Sequence, residues 1–218
     1  MEDAKFPLEA FDDIGYHAVF NGQKTYNGVA ILSRARPEDV RKDIAGFEDH
    51  QKRVVAATIE GVRVVCVYIP NGQTVDSEKY QYKLQWLAAL QSYMREAIAE
   101  FGDVALLGDY NIAPDDRDVY DPKAWEGQVL CSVPERDAFR ALVGLGLTDS
   151  FRLFDQAEKS YSWWDYRMNG FKRNLGLRID HVLLTAAIAA RCTSSVIDVA
   201  PRKLERPSDH APVFVEIG

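Results

Sequence analysis

The stretch VALLGDYNIAPDD, Val104–Asp116, places an apolar run directly before Gly108 and then brings acidic and amide side chains together. A short apolar run of this kind is typical of a buried strand, so Asp109 and Asn111 are predicted to follow the strand's carboxyl end. Asp and Asn commonly close a turn by bonding to the backbone, and Pro114 agrees with that interpretation. The other interpretation is a chemical site at the end of the strand, and it depends on what the other strands carry.

The composition is that of one large domain. Of the 218 residues, 47% are hydrophobic and 11% aromatic, which is enough to bury a sizeable core. No repeat or linker-like segment divides the chain, so a single domain over residues 1–218 is predicted. The longest apolar stretches, such as Val62–Ile69, are far shorter than the ~20 residues of a membrane span. The start MEDAKF has neither the basic flank nor the apolar block of a signal peptide. These features predict a cytoplasmic protein that does not enter a membrane.

The formal net charge of −7 argues against a protein that simply coats nucleic acid. It allows an enzyme whose basic groups gather around one cleft. The segment 167–178, RMNGFKRNLGLR, contains basic residues and no acid, and it is either a solvated loop or a contact surface. Cys66, Cys131 and Cys192 are odd in number and widely spaced, and we interpret them as reduced core thiols rather than disulfides or a zinc site.

The periodicity of the chain predicts both strands and helices. The segments 16–34 and 53–70 read as hairpins, the second turning at Glu60–Gly61, with a polar helix or loop between them. From Glu78 to Ala99 apolar side chains recur on one helical face, with Asp76 and Ser77 as candidate caps. A second helix begins with the capping-box pattern of residues 132–135. Strands outnumber helices and several are hairpin-linked, so an α+β architecture is predicted rather than a purely parallel one.

Polar residues recur where further strands end or begin. YIPNG (Tyr68–Gly72) ends one strand, RIDHVLL carries Asp180 inside another, and SDHAP places Asp209 and His210 before the last. An Asp within a hydrophobic strand needs a partner, because burying an unpaired carboxylate is costly. We expect that partner to be His210. This recurrence favours the interpretation of Asp109 as part of a chemical site.

Taken together, these motifs resemble the exonuclease III family of bacterial apurinic/apyrimidinic endonucleases. That family is a branch of the endonuclease/exonuclease/phosphatase superfamily, which includes DNase I-like nucleases and several phosphatases. The resemblance implies an α+β fold in which two packed mixed β-sheets are flanked by helices, a DNase I-like four-layer sandwich. It spans the chain from about Tyr26 onward, and the WWDYR segment points to the DNA-repair branch. The motifs, in chain order, are YNGVAILSR, YIPNG, GDYNIAP, YSWWDYR, RIDHVLL and SDHAPV.

The resemblance implies catalytic roles for five residues. Asp109 would orient the attacking water or accept its proton, and Asn111 would fix that water or a phosphate oxygen. His210 would contact the scissile phosphate, while Asp180 would hold its ring and favour the charged imidazolium. Tyr68 would reach the same phosphate through its hydroxyl.

The resemblance also implies a metal ion and a DNA substrate. Asp109 and Asp209 would be oxygen ligands of Mg²⁺ or Mn²⁺. Trp163 would form the wall of a pocket for a flipped-out abasic sugar, whereas at least one neighbouring aromatic side chain would pack in the core. The partner would be double-stranded DNA with abasic sites or 3′ ends. Its binding residues would be Asn71, Trp163, Arg167, Lys172, Arg173 and Arg178.

The sequence departs from the family pattern at its beginning. The family's Asn motif and its metal-binding Glu motif are not found, so the domain is expected to be N-terminally incomplete by a strand–helix–strand unit. Such a loss would remove a metal carboxylate and expose sheet edges. A homodimer formed through an exposed edge is therefore a further prediction.

Three functions remain as hypotheses. The leading one is a metal-dependent DNA-repair phosphodiesterase that incises 5′ to abasic sites and acts as a 3′ to 5′ exonuclease. The second is a truncated, catalytically impaired relative that binds DNA without cleaving it. The third is a superfamily phosphatase acting on a small phosphoester, which the basic and aromatic segment 161–178 disfavours.

Overall fold

The structure is a computed structural model that describes residues 1–218 and contains twelve strands and five helices. The strands are β1 (His17–Asn21), β2 (Val29–Ser33), β3 (Glu38–Lys42), β4 (Val54–Ile59), β5 (Val62–Tyr68), β6 (Val104–Asp109), β7 (Leu147–Asp149), β8 (Trp163–Trp164), β9 (Gly176–Leu177), β10 (Asp180–Thr185), β11 (Cys192–Ile197) and β12 (Val213–Ile217). The helices are α1 (Leu8–Asp12), α2 (Glu78–Phe101), α3 (Pro122–Trp125), α4 (Val133–Val143) and α5 (Ala186–Arg191).

Six strands form one sheet in the order β3-β4-β5-β6-β10-β7. The central strands β5 and β6 are parallel, and the other neighbours in this sheet are antiparallel. Tyr68 stands opposite Asp109 across β5 and β6, and Asp109 stands opposite Asp180 across β6 and β10. Three residues singled out from the sequence therefore lie side by side at one end of three adjacent strands.

Helix α2 connects the two parallel strands, which need a crossover because a tight turn cannot join them. Ser77 caps the helix, since its Oγ accepts the N–H of Tyr80 at 3.1 Å, and this agrees with one of the two caps predicted. The helix packs with α4 on one face of the sheet. The largest core cluster lies there and includes Val54, Ala56, Val65, Val67, Leu87, Leu90, Met94, Leu106, Phe139 and Leu183.

Two separate hairpins cover the opposite face of the sheet. Successive side chains of a strand point to opposite faces, so every second residue of each strand lies on the face that these hairpins cover. The β1–β2 hairpin packs on β4 through Ile31, Val55 and Ala57, and the β11–β12 hairpin packs around Val182 and Leu184 of β10. The hairpins do not pair with each other. The α+β class is confirmed, and the predicted second sheet is present as two two-stranded pieces.

The charged segment Glu38–Lys42 is an edge strand, although the sequence predicted a polar helix or loop. Its pairing with β4 contains an irregularity between Glu38 and Arg41, and Arg41 forms an ion pair with Glu100. The prediction was wrong because pairing with a distant strand overrides local composition. Charged and irregular edge strands oppose pairing with another chain, so the homodimer gains no support from this edge and stays a prediction.

No helix combines the length and the hydropathy that crossing a lipid bilayer requires. All three cysteines are free thiols, with Cys131 buried and Cys66 and Cys192 half-buried. Burial raises the pKa of Cys66 to about 11 and that of Cys131 to about 12. These two thiols are therefore protonated at neutral pH and are poor nucleophiles.

Candidate active site

A cleft of about 610 Å³ opens where β5 and β6 end and β10 begins. The cleft lies at this end of the sheet because β5 and β6 are parallel. The chain leaves both strands at the same end, and the loops that follow them form the walls of the cleft. The cleft collects residues from several distant segments of the chain. Eight of the predicted site residues line it: Tyr68, Asn71, Asp109, Asn111, Trp163, Arg167, Asp209 and His210.

Asp109 closes a turn and also faces the cleft. Its Oδ1 accepts the N–H of Asn111 at 2.8 Å. The preceding Gly108 has φ 140°, and a Cβ there would lie 1.9 Å from the carbonyl oxygen of Val67. Only glycine fits at this approach to β5, and it lets β6 deliver Asp109 to the cleft. The turn and the chemical site were alternative interpretations of the sequence, and the geometry accommodates both.

The side chain of Asn111 is held entirely by protein groups. Its Nδ2 donates to the main-chain oxygen of Ile69 at 3.0 Å and to Oδ2 of Asp109 at 3.1 Å. Its Oδ1 accepts from Nδ2 of Asn71 at 2.9 Å. Both amide hydrogens of Asn111 are used, so this residue orients Asp109, whereas the exposed Asn71 keeps one amide hydrogen for a ligand.

His210 and Asp180 form the expected pair. Nδ1 of His210 lies 2.9 Å from Oδ2 and 3.1 Å from Oδ1 of Asp180. Burial alone would lower the pKa of His210, but hydrogen bonding and charge from Asp180, with the charges of Asp109 and Asp209, raise it to about 9. His210 is therefore a cation at neutral pH, and its Nε2 points to within 4.0 Å of Asp109.

The surroundings of Asp109 disfavour its charged form, whereas those of His210 favour the charged form. Burial, followed by the charge of Asp180, raises the pKa of Asp109 to about 7, against the opposing effect of His210. Burial and then the charge of Asp109 raise the pKa of Tyr68 above its ordinary value. At neutral pH the cleft thus presents a carboxyl group near its titration point beside a protonated phenol and an imidazolium.

The donor atoms of Asp109, Asp180 and His210 all lie within 4.8 Å of one another. Carboxylate oxygens are the hard ligands that Mg²⁺ and Mn²⁺ prefer, so the two carboxylates fit such an ion. His210 has no free lone pair when it is protonated. Asp209 was predicted as a ligand and lies outside this group; its Oδ2 accepts from Nε1 of Trp163 at 3.0 Å. Its role as a metal ligand stays a prediction.

Residues 1–210 match the sequence model of the Endonuclease/Exonuclease/phosphatase family. Exodeoxyribonuclease III of Haemophilus influenzae is 38% identical over 232 aligned residues, which cover 99% of this chain and 86% of that protein. The chain belongs to the exodeoxyribonuclease III family.

Solved structures of relatives share the fold over the whole of this chain. NExo from Neisseria, a 3′ phosphatase solved with a product DNA hairpin, superposes with a TM-score of 0.98 at 48% identity and is covered over 85% of its length. An AP endonuclease from Archaeoglobus fulgidus superposes with a TM-score of 0.95 at 38% identity, again over 85% of its length. The DNase I-like class predicted from the sequence is thereby confirmed.

In this member of the exodeoxyribonuclease III family, the tandem tryptophans divide between cleft and core. Trp163 is half-buried and lines the cleft, whereas Trp164 is 2% exposed and packs with Tyr161 and Ala211. The expectation that at least one aromatic of this segment is core is met by Trp164. Trp163 also binds Asp209, so it joins an apolar wall to the acidic part of the cleft.

The basic residues of the segment 167–178 occupy two different environments. Arg167 lines the cleft and pairs with Asp165, and Lys172 and Arg173 are exposed with no ion pair. These three remain available for DNA phosphates. Their role stays a prediction.

Arg178 requires a correction, because it was expected to contact DNA and is only 1% exposed. Its guanidinium bonds to Asp118 and Asp149, and its Nη1 lies 3.0 Å from Nδ1 of His181. The carboxylates of the buried Asp118 and the half-buried Asp149 hold the side chain inward. Arg178 is thus a structural cation beneath the site rather than a contact for the substrate.

The sequence reasoning missed the buried ion pair of Lys83 and Glu135. Both side chains are fully buried, and both belong to segments that were assigned for helix formation alone. One signal was present, since Lys83 follows Tyr80 and precedes Leu87 at the spacing of the buried helical stripe. A lysine at such a position must find an anionic or carbonyl partner in the interior.

Proposed function

We propose that this chain hydrolyses phosphodiester bonds in DNA during repair, incising 5′ to abasic sites in duplex DNA and removing nucleotides from 3′ ends. The observation that carries the proposal is the cleft in which Asp109, Asp180 and His210 meet beside an apolar wall formed by Trp163. Its relatives are named as exodeoxyribonuclease III, AP endonuclease and 3′ phosphatase. All three names describe attack on a phosphoester. We place the activity in one domain over residues 1–218, acting in the cytoplasm.

The reaction requires a water molecule aimed at phosphorus and stabilisation of the charge on the phosphoryl oxygens. Asp109 is suited to accept the proton of that water, because its carboxylate faces the cleft at the end of β6. His210 is a cation, and its Nε2–H, which Asp180 does not use, can donate a hydrogen bond to a phosphoryl oxygen. Tyr68 and Asn71 add a hydroxyl and an amide donor on the same wall. The water oxygen bonds to phosphorus as the bond from phosphorus to the 3′-oxygen breaks, and the leaving oxygen takes a proton from solvent to become a 3′-hydroxyl.

A divalent ion, Mg²⁺ or Mn²⁺, completes the proposal. Asp109 and Asp180 would hold it, and Asp209 would add its Oδ1, the carboxylate oxygen that Trp163 does not bind. When bound, such an ion supplies positive charge for the phosphoryl group and the leaving oxygen. Burial and then the charge of Asp180 raise the pKa of Asp109, and a cation beside the two carboxylates would relieve their mutual repulsion.

The abasic-site preference rests on the cleft wall. An apolar wall of Trp163, Leu175 and Ile179 can accept a sugar without a base and exclude a complete nucleotide by size. Arg167, Lys172 and Arg173 would contact phosphates on either side, which makes binding independent of sequence and sensitive to salt. The net charge of −7 means that this attraction is local to the cleft.

The test is cleavage of three duplex oligonucleotides: one with a synthetic abasic site, one with a recessed 3′-hydroxyl and one with a 3′-phosphate. Each is incubated with Mg²⁺, Mn²⁺ or EDTA. Asp109→Asn is expected to lower kcat at least ~10³-fold on every cleaved substrate, as loss of a catalytic base and metal ligand does. Asp137→Asn, an exposed change on α4, serves as the matched control.

The three substrates separate the hypotheses. Cleavage that needs both the ion and Asp109 supports the proposed reaction, and the fastest substrate identifies the preferred end or lesion. Undiminished cleavage by Asp109→Asn contradicts the assigned roles. A folded chain that binds abasic DNA and cleaves none of the three would instead support the binding-only hypothesis.

A further inference from the structure

Lys83 lies in the apolar stripe of α2 and is 0% exposed. A buried ammonium group must satisfy its charge and its three N–H donors inside the protein. Because no atom of Lys83 reaches solvent, it cannot touch DNA. The role of Lys83 therefore depends on the groups that bind its ammonium group inside the protein.

The ammonium group of Lys83 joins two walls of the cleft. Nζ donates to the main-chain oxygen of Asn71 at 3.1 Å and to that of Asn111 at 2.7 Å. Its third donor goes to Oε1 of Glu135, which is also fully buried. All three donors are used, and one cation ties the segment after β5 to the segment after β6.

Glu135 extends this link to a third segment of the cleft. Its Oε1 also accepts the N–H of Leu130 at 3.0 Å, and its Oε2 accepts the N–H of Ser132 at 3.1 Å. Leu130 lines the cleft and has φ 74°, a conformation that a branched side chain rarely adopts. The buried ion pair therefore holds the main chain of three cleft segments, one of them in a strained conformation.

We propose that Lys83 is a positioning residue of the active site, which sets the main chain at Asn71 and Asn111 so that Asn71 holds the side chain of Asn111, and Asn111 holds Asp109. The chain of contacts is continuous. Lys83 bonds the carbonyl of Asn111, and the amide of Asn111 bonds both Asn71 and Asp109. Asn111 has φ 50°, which costs conformational energy and needs support from its surroundings. The inference rests on the proposed phosphodiesterase function, because it assigns Lys83 an effect on that reaction.

This role predicts a specific kinetic signature. Loss of Lys83 should leave the exposed DNA-binding side chains in place, so KM changes by less than ~3-fold. A displacement of Asp109 by a fraction of an ångström should lower kcat by about 10- to 100-fold, because misplacing a reacting group by 1 Å can cost 10²-fold. A general loss of stability would not divide the two constants in this way.

Lys83→Met alone would leave Glu135 charged without a cation, which is strongly destabilising. The test variant is therefore Lys83→Met with Glu135→Gln, which removes both charges and keeps an oxygen acceptor for Leu130. Leu90→Ala is the matched control, since Leu90 is equally buried on α2 and touches only the core. Kinetics are measured at 15 °C on the fastest substrate, and ¹H–¹⁵N spectra report the side-chain amides of Asn71 and Asn111.

A fall in kcat with KM preserved, together with shifted amide signals of Asn111, supports the proposal. In an Asn111→Ala background the paired substitution should lower kcat no more than ~2-fold further, because both changes act through the same group. Unchanged kcat overturns the proposal, and so does an equal fall in the Leu90→Ala control. If the unsubstituted chain cleaves no substrate, the proposed function fails by itself, and unshifted amide signals in the paired variant would still overturn the positioning role.

Discussion

Asp109→Asn is expected to stabilise the protein at neutral pH while it abolishes cleavage. In the folded chain the pKa of Asp109 is raised to about 7 by burial and by the charge of Asp180, whereas in an unfolded chain it is ~3.9. Between these two values the folded state binds the extra proton. The free energy of unfolding therefore falls as pH rises from about 4 to 7, and the loss is complete above that window.

The size of this stability difference follows from the two pKa values of Asp109. They differ by roughly 3 between the folded and unfolded chains, which corresponds to about 4 kcal/mol at 1.36 kcal/mol per pKa unit. The Asp109 side chain is 18% exposed, so solvent reduces this figure, and roughly 2–4 kcal/mol is the expected range. Asparagine carries no charge at any pH. The stability advantage of Asp109→Asn should thus be near zero at pH 4.5 and reach that range at pH 7.5.

Urea unfolding followed by circular dichroism, at four pH values between 4.5 and 7.5 and in EDTA, measures the difference. His210, whose pKa is about 9 in the folded chain and ~6.5 in an unfolded one, adds a slope of its own above about pH 6.5, so the change between pH 4.5 and 6.5 is the part that reports Asp109. Asp137→Asn, whose carboxylate is 61% exposed, should show a flat difference. A difference for Asp109→Asn that changes by less than ~0.5 kcal/mol across this range would refute the electrostatic account of the cleft.

Two further predictions concern the cations. Asp180→Asn removes the main partner that raises the pKa of His210, so that pKa falls below about 9 and the imidazolium is lost at lower pH than in the unsubstituted chain. The kcat/KM of this variant should therefore fall at lower pH than that of the unsubstituted chain; a pH–rate profile measures this, and parallel profiles would contradict it. Lys172→Gln with Arg173→Gln should reduce the slope of log K against log salt concentration for abasic-DNA binding by about 1.8, as fluorescence anisotropy would show. Arg178→Gln should leave this slope unchanged and lower the free energy of unfolding by about 3–5 kcal/mol, as urea unfolding would show.

Local signals in the sequence predicted those parts of the fold that local physics decides. Ser77 and the capping box at Ser132 mark helix starts because their side chains bond neighbouring backbone groups. The apolar run before Gly108 likewise predicts β6, because the signal lies within the strand itself. The sandwich of two sheets came from the resemblance to a known family, and the order of strands was not predicted, since no local pattern specifies which strands become neighbours.

The parts that the sequence predicted wrongly depend on distant partners. β3 is strongly charged, and only its pairing with β4 makes it a strand. Arg178 stands in a basic run, yet Asp118 and Asp149 draw it inward. Lys83 looked like one more helical residue because its three acceptors come from segments far along the chain. Side-chain burial of this kind becomes visible only when the tertiary arrangement is known.

The strand register that sets Tyr68, Asp109 and Asp180 side by side has a consequence for the life of the protein in a cell. These residues are separated by 41 and 71 positions in the chain (109 − 68 and 180 − 109), and His210 joins them later still. A growing chain that has not yet released residue 210 from the ribosome therefore contains no assembled site. The DNA-cutting activity is thereby withheld from incomplete copies, and it arises only when β5, β6 and β10 have paired and the segment that carries His210 has joined them.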